Sequence, residues 1–384
     1  MSELSVKTRN GVTRTHHRPT WAEIDLAAIE HNYKQVRKTV GKGIRIMSVV
    51  KANAYGHGTV EISRVLESLG ADYLGVATTD EAVRIRDHGI KTPVLVLGSV
   101  LPGEVAVAID KNITLTLCGD DLMDTIRKAT KHGRKLKAHI KIDTGMGRVG
   151  IWHENALDYV KKISAERSIT LEGIYTHFSS AGRDDFFTDH QIDVFEKLLA
   201  DIEKAWIKIP IKHAANSIAT VDFKRSHLNL VRPGLVIYGM YPKHTFPKLI
   251  KLKPALSLRT RIVFIKDVPP GRSISYGRTF ITQRHTKIAT LPVGYADGYP
   301  RKLSNKGEVL IRGERAKVIG KVTMDQTMID VGHIKGAAVG DEVVLIGKQG
   351  LDEIRAETLA RTADSIAYEV VCGISNRVPR IYKQ

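Results

Sequence analysis

The chain has 384 residues, more than one compact core usually holds, so a large domain with a smaller companion is expected. Its 42% hydrophobic and 26% charged residues are ordinary for a globular protein, and no apolar run is long enough to cross a bilayer. A formal net charge of +18 would suit a nucleic-acid partner, yet the lysines and arginines are spread over the whole chain and aromatics make up only 6%, so neither a nucleic-acid nor a membrane partner is expected.

In chain order, the opening MSELSVKTRNGVTRTHHRP is polar and basic, lacks the apolar stretch of a secretory signal and is expected to be a flexible tail over residues 1–19. From residue 44 to 240, short β-branched runs then alternate with longer amphipathic stretches, the rhythm of a parallel sheet. Eight strands are expected at RIMSVV, YLGVAT, PVLVLG, ITLTLC, LKAHIKID, LEGIYTH, IKHAAN and LVRPGLVIYG. Helices are expected between them, among others at TVEISRVLESLG, TDEAVRIRDHG, DDLMDTIRKATKHG, ENALDYVKKISAERS and DHQIDVFEKLLADIEKAW. That count predicts an α/β fold with an N-terminal (β/α)8 TIM barrel over residues 20–250. After Pro254 the runs LSLRTRIVFIKDV, TKIATLPVGYA, EVLIRGERAKVIGKV and DEVVLIG, split by Gly, Pro and Asp turns, predict a mainly β C-terminal domain over 251–384. One amphipathic helix, LDEIRAETLARTADSIAYEV, is expected to close it. Cys118 and Cys372 stand far apart in apolar stretches and are expected as buried thiols of a reducing compartment, the cytoplasm.

A barrel of this kind presents its chemistry at the carboxyl ends of its strands. The first expected strand ends at Lys51, the fifth passes Lys141 into DTGMGRVG with Arg148, and the sixth ends on His177. The seventh passes His213 into AANS with Asn216 and Ser217, and the eighth carries Arg232 and Gly234. Singly these are ordinary: a solvated lysine, core histidines, helix caps. Together they form one rim of complementary groups. GMGRVG matches a dinucleotide fingerprint, but the next helix is expected only near Glu154 and the unit is fifth in a barrel series, which argues against a nucleotide site. A lysine that can form a Schiff base, anion donors and a partner for a ring nitrogen together suit pyridoxal phosphate.

The stretch VVKANAYGHG closely resembles the cofactor-attachment motif of alanine racemases, and further motifs of that family follow in order: KIDTGMGRVG, THFSSA, HAANS, VRPGLVIYG, SISYGRTF, LPVGYADGYPR, GKVTMDQTMID and ISNRVPRIY. The resemblance runs from about Trp21 to Tyr382. It implies a pyridoxal 5'-phosphate enzyme with a barrel and a C-terminal β domain, acting as a homodimer whose active sites are shared between subunits. By motif match, Lys51 carries the cofactor. Tyr55, Asn216, Ser217, Gly234, Leu235 and Tyr382 contact it with His177, and Arg232 faces its ring nitrogen. Arg148 and the backbone at Met324 face the substrate carboxylate, Tyr295 narrows the entrance, and Lys141 matches a lysine that relatives often carbamylate.

Racemisation needs a base on each face of a planar centre. The resemblance makes these Lys51 and Tyr276, the latter from the second subunit. An arginine at the ring nitrogen only donates, which separates a racemase from related decarboxylases that use an acidic residue there. The expected activity is interconversion of L- and D-alanine, supplying D-alanine for peptidoglycan; a serine or broad-specificity racemase is the alternative, and a decarboxylase ranks below both. Thr323 stands where many family members have cysteine.

Overall fold

A computed structural model of the protein describes residues 4–7, 13–130, 133–242, 246 and 249–384, with side chains from residue 17 onward. The contacts divide it into two compact units, one of residues 29–54 and 58–252, the other of residues 1–28, 55–57 and 253–384.

The first unit is a parallel barrel. Its strands are β1 (Arg45–Val49), β2 (Tyr73–Val76), β3 (Val94–Val96), β4 (Leu115–Leu117), β5 (Leu136–Asp143), β6 (Ile169–Tyr175), β7 (Ile211–His213) and β8 (Leu230–Val231). Seven lie within the expected runs, six of them trimmed and β5 matching its run, while β6 starts two residues before its run, at Ile169. Sequential neighbours pair in parallel, and β8 returns to β1 with Leu230 opposite Arg45. Between β3 and β4 the ring closes through the bridge Leu95 to Thr114, where the Val96 amide donates to the Thr114 carbonyl at 3.0 Å. Such short strands are buried throughout, which explains their near-continuous Val, Ile and Leu. Met47, Tyr73, Leu95, Tyr175, Ile211 and Leu230 pack together from six of them. Bare backbone at Gly173 makes room for the His139 imidazole, which a Cβ there would meet at 2.5 Å.

Helices cover the ring as their apolar periodicity predicts. The long one spans Asp185–Lys204, four residues earlier than the run DHQIDVF suggests, because Asp184 caps it by accepting from the Phe187 amide. The helix expected over DDLMDTIRKATKHG is shorter, Met123–Ala129, and residues 131–132 of that run lie outside the described residues. Val105–Asp110 adds a helix not anticipated from the sequence.

The second unit is a largely antiparallel sheet in the order Phe264–Val268, Thr286–Leu291, Thr327–Asp330, Glu314–Val318, Glu308–Ile311, Glu342–Gln349, Leu256–Arg261, Thr20–Asp25 and Arg380–Lys383. The stretch Thr20–Asp25, which the expected bounds place in the barrel domain, is a strand of this sheet instead: Ala22 sits opposite Leu258 on one side and Arg380 on the other. Its alternating pattern fits any half-buried sheet, so the sequence does not name its partner.

Three further expectations are corrected. The tail is not wholly without structure, since Leu4–Lys7 pairs with Thr13–His16 and the Arg261 amide donates to the Pro19 carbonyl. The single closing helix is instead a strand, Asp352–Ile354, and two short helices, Ala356–Thr362 and Ala367–Cys372, broken where Asp364 turns left-handed at φ 51°. The cysteines are not both buried: Cys118 is partly exposed and Cys372 exposed. Among the described residues no helix is long and apolar enough to cross a membrane.

Candidate active site

Within the barrel unit, every site residue expected there lies at or beyond the carboxyl end of a strand or, for Lys141, two residues before it. Lys51 is exposed, two residues past the end of β1. The backbone that follows is unusual: Ala52, Asn53, Ala54 and Tyr55 all take φ of 51–53°, a left-handed turn made without glycine. Each such residue costs roughly 1–2 kcal/mol, so neighbouring groups must hold the turn. Glu81 does so on one side, accepting from the Ala52 and Ala77 amides at 2.6 and 2.8 Å. Asn53 does so on the other, its side chain accepting from the Thr59 amide at the start of the helix Thr59–Ser68. Neither Glu81 nor Asn53 was singled out in the sequence, because each acts only through backbone that folding brings beside it.

Arg232, past β8, is buried and donates to the carbonyls of Thr176 and Ala214 at 2.8 and 2.9 Å, to His213 Nδ1 at 2.9 Å and to His177 Nδ1 at 3.3 Å. A guanidinium cannot accept, so His213 takes Arg232's proton donor at Nδ1 and carries its own hydrogen on Nε2. That hydrogen points to His139 Nδ1, 2.9 Å away, which leaves His139 with a buried Nε2–H lacking a partner among the described residues. The tautomers of two histidines thus follow from one arginine. Burial and then the Arg232 charge push His213 well below its ordinary range and His139 down to about 3. Burial also lowers Arg232 itself to about 10, still a cation at neutral pH. The Tyr175 ring stacks on His213, centroids 4.6 Å apart, and lies beneath both Arg232 and Lys141.

Lys141 is buried in β5, and burial followed by the charges of Arg148 and Arg232 brings its amine down to about 8. His177 is pushed well below its ordinary range by burial, then by Arg232, Lys141, Arg148 and Lys51, so cations from three strands converge on it. Asp143, a carboxylate at the end of β5, is occupied by its own loop. It accepts from the amides of Gly145, Met146, Gly147 and Arg148 at 2.8–3.1 Å, which hold it below its usual range although burial alone would raise it. The amides of GMGRVG therefore cradle a carboxylate of their own chain, which removes the dinucleotide reading. Gln191, fully buried on Asp185–Lys204, ties Thr144 to the start of the loop after β6.

Asn216 caps the helix Ser217–Asp222, accepting from the Ile218 and Ala219 amides at 3.0 Å, so its side chain is used structurally. Ser217 Oγ accepts from the Gly234 amide at 2.9 Å, joining the ends of β7 and β8 just before the turn that begins at Leu235.

The remaining expected residues lie in the β unit. Tyr55 is buried against Tyr368, centroids 5.9 Å apart, and burial raises its phenol far above the usual range, so it stays a hydroxyl donor. A Cβ on its neighbour Gly56 would lie 2.2 Å from the Val371 carbonyl, so only glycine fits, and Arg380 donates to the Gly56 carbonyl. Tyr382 sits in Arg380–Lys383 opposite Ile24. Tyr276 is 74% exposed on a tight turn in which Ser275, Gly277 and Arg278 all have positive φ. Ser275 Oγ donates to the Lys321 carbonyl, and the Lys321 ammonium lies against Gly277. Tyr295 and Met324 belong together: the Tyr295 amide donates to the Thr323 carbonyl at 3.0 Å and the Ala296 amide to that of Met324 at 3.1 Å.

The barrel rim gathers cations, neutral imidazoles and hydroxyl donors, and its carboxylates Asp143 and Glu81 are occupied by backbone amides. An anionic, ring-containing ligand would complement that set, and pyridoxal phosphate fits the residues present.

Comparison with known proteins points one way. The family model described as alanine racemase, N-terminal domain, matches residues 24–242, and that described as alanine racemase, C-terminal domain, matches residues 255–382. The alanine racemase of Halothermothrix orenii is 49% identical over 368 residues, 95% of this chain and 97% of that one. That of Methanococcus maripaludis is 47% identical over 95% and 98% of the two chains. Among solved structures, alanine racemase of Clostridium difficile 630 has a TM-score of 0.91 at 38% identity over 96% of each chain. Alanine racemase of Bacillus anthracis with bound L-Ala-P has 0.90 at 37% identity, again over 96% of each.

Proposed function

The chain belongs to the alanine racemase family, and on that premise we propose that it interconverts L- and D-alanine with pyridoxal 5'-phosphate, using Lys51 and Tyr276 as its two bases. The observation that carries the reading is the buried Arg232, whose partners are all neutral acceptors: two carbonyls and two imidazoles. A permanent donor held this way can only offer a hydrogen to a ring nitrogen, never take one.

When bound, the cofactor supplies an electron sink that acidifies the substrate's α-hydrogen. Lys51 would attach it, with Arg232 at the ring nitrogen. His177, Tyr55, Asn216, Ser217, Gly234, Leu235 and Tyr382 would line it, the Tyr55 hydroxyl serving as a donor to phosphate because burial keeps it protonated. Arg148 and the Met324 backbone would orient the substrate carboxylate, and Tyr295 would restrict the side chain to a small one. Lys51 then exchanges the α-proton on one face and Tyr276 on the other. Lys141, with its amine brought to about 8, would be partly unprotonated near neutrality and so open to carbamylation. The proposal includes a homodimer in the cytoplasm, with Tyr276 reaching the partner's site and D-alanine passing to peptidoglycan.

Incubating the purified holoenzyme with L-alanine in deuterated water tests the reading. Loss of optical rotation with α-deuterium uptake is expected; decarboxylation, or no exchange, would refute it. L-serine supplied in parallel is expected to exchange more slowly, and the reverse order would move the assignment to a serine racemase.

A further inference from the structure

Asp297, in the turn GYADGYP, is fully buried. Its carboxylate is met by Arg18, whose two terminal nitrogens donate to Oδ1 and Oδ2 at 2.5 and 2.7 Å. Oδ2 also accepts from the Gly294 amide at 2.9 Å. Arg377 lies farther off, its Nε 3.6 Å from Oδ1, and spends its short bond on Asp325 at 2.7 Å. Arg18 is therefore the bidentate partner of this carboxylate, the geometry that fixes orientation as well as charge.

The same guanidinium reaches the Asp325 carbonyl at 3.4 Å. It thus spans two loops: the one that carries Tyr295 and the one that carries Met324, already joined by the Tyr295 and Ala296 amides. Arg18 is itself placed by the strand that follows, where the Thr20 amide donates to the Arg18 carbonyl and Thr20 Oγ to the Pro292 carbonyl. It stands six residues before the first segment matched to the family and outside the second.

We propose that Arg18 is a positioning residue, setting the spacing of Tyr295 and Met324 and through them the affinity for the amino-acid substrate. The inference rests on the reading that these two residues line the substrate site.

The test compares the holoenzyme with its Arg18→Gln, Arg18→Lys and Tyr295→Ala variants. Arg18→Gln is expected to raise KM for alanine about tenfold in both directions, the consequence of stripping a buried carboxylate of its charged donor. The kcat and the cofactor absorbance should stay near those of the parent. Arg18→Lys should recover part of the KM, since an ammonium cannot hold both oxygens. An unchanged KM in Arg18→Gln, or a loss of bound cofactor in step with kcat, would overturn the proposal. Should Arg18→Gln not fold, the KM of Arg18→Lys decides, raised for and unchanged against. Tyr295→Ala separates the two layers: no KM effect there removes the substrate reading and this inference with it, whereas an effect there without one at Arg18 removes the inference alone.

Discussion

The barrel unit and the β unit carry most of their proposed site residues in opposite ways, with exposed Lys51 and buried Tyr55 as the exceptions. Arg232, His213, His139 and Lys141 are buried; hydrogen bonds link the first three, and the Arg232 charge helps lower the other three. Tyr276, Tyr295 and Met324 are 74%, 43% and 53% exposed, and what holds them is backbone: a strained turn at Tyr276 and carbonyl bonds between loops at the other two. The barrel builds an electrostatic environment in advance, whereas the β unit places these three residues through backbone geometry. Changes in the first should register in stability as well as rate, and changes in the second in rate alone.

The largest effect, and the sharpest break, is expected from a pair of variants. Tyr276→Phe should slow racemisation by about 10²–10⁴-fold, the usual range for a lost acid–base group, while shifting unfolding by less than about 0.5 kcal/mol because the side chain is exposed. Arg232→Leu should cost about 3 kcal/mol in chemical denaturation, since it strands two carbonyls and two imidazoles. If Tyr276→Phe proved the more destabilising of the two, the contrast would fail.

Next in size is Lys141. Its folded amine at about 8 lies below the unfolded 10.5, so the unfolded chain holds the proton more tightly between these values. Stability therefore rises with pH from about 8 to 10.5, and below 8 the buried charge carries its full cost. In buffer free of carbon dioxide, Lys141→Met should gain roughly 2–3 kcal/mol at pH 7, a gain that fades towards pH 10.5. A gain independent of pH would point to packing instead.

The smallest effect sharpens the account of the turn after β1. Ala52→Gly should raise stability by about 1 kcal/mol, because glycine accepts φ near 53° without the clash that alanine suffers. Destabilisation by that amount, read from the urea midpoint, would mean that the turn is not strained.

Much of this was legible before folding. All eight barrel strands coincide with or overlap the runs marked out by β-branched residues, and seven fall inside them, since most strand positions are buried. The rim residues could be found because strand ends are read directly from such runs. Glu81, Gln191, Asp297 and Arg18 could not, because their partners are backbone or side chains 3 to 279 positions away, and nothing local distinguishes them from solvated polar residues. The strand Thr20–Asp25 shows the same limit: its alternation states that one face is buried and is silent about which sheet it joins.

By itself, then, the sequence determined the strand count, the barrel and the residue types at its rim, since periodicity and strand ends are local properties. Tertiary structure alone decided that Thr20–Asp25 leaves the barrel unit for the β unit, that Asp143 turns its carboxylate into the GMGRVG amides, and that Arg232 dictates the tautomers of His213 and His139. Those outcomes depend on distance and burial between segments remote in the chain, and both arise only when the strands close on one another.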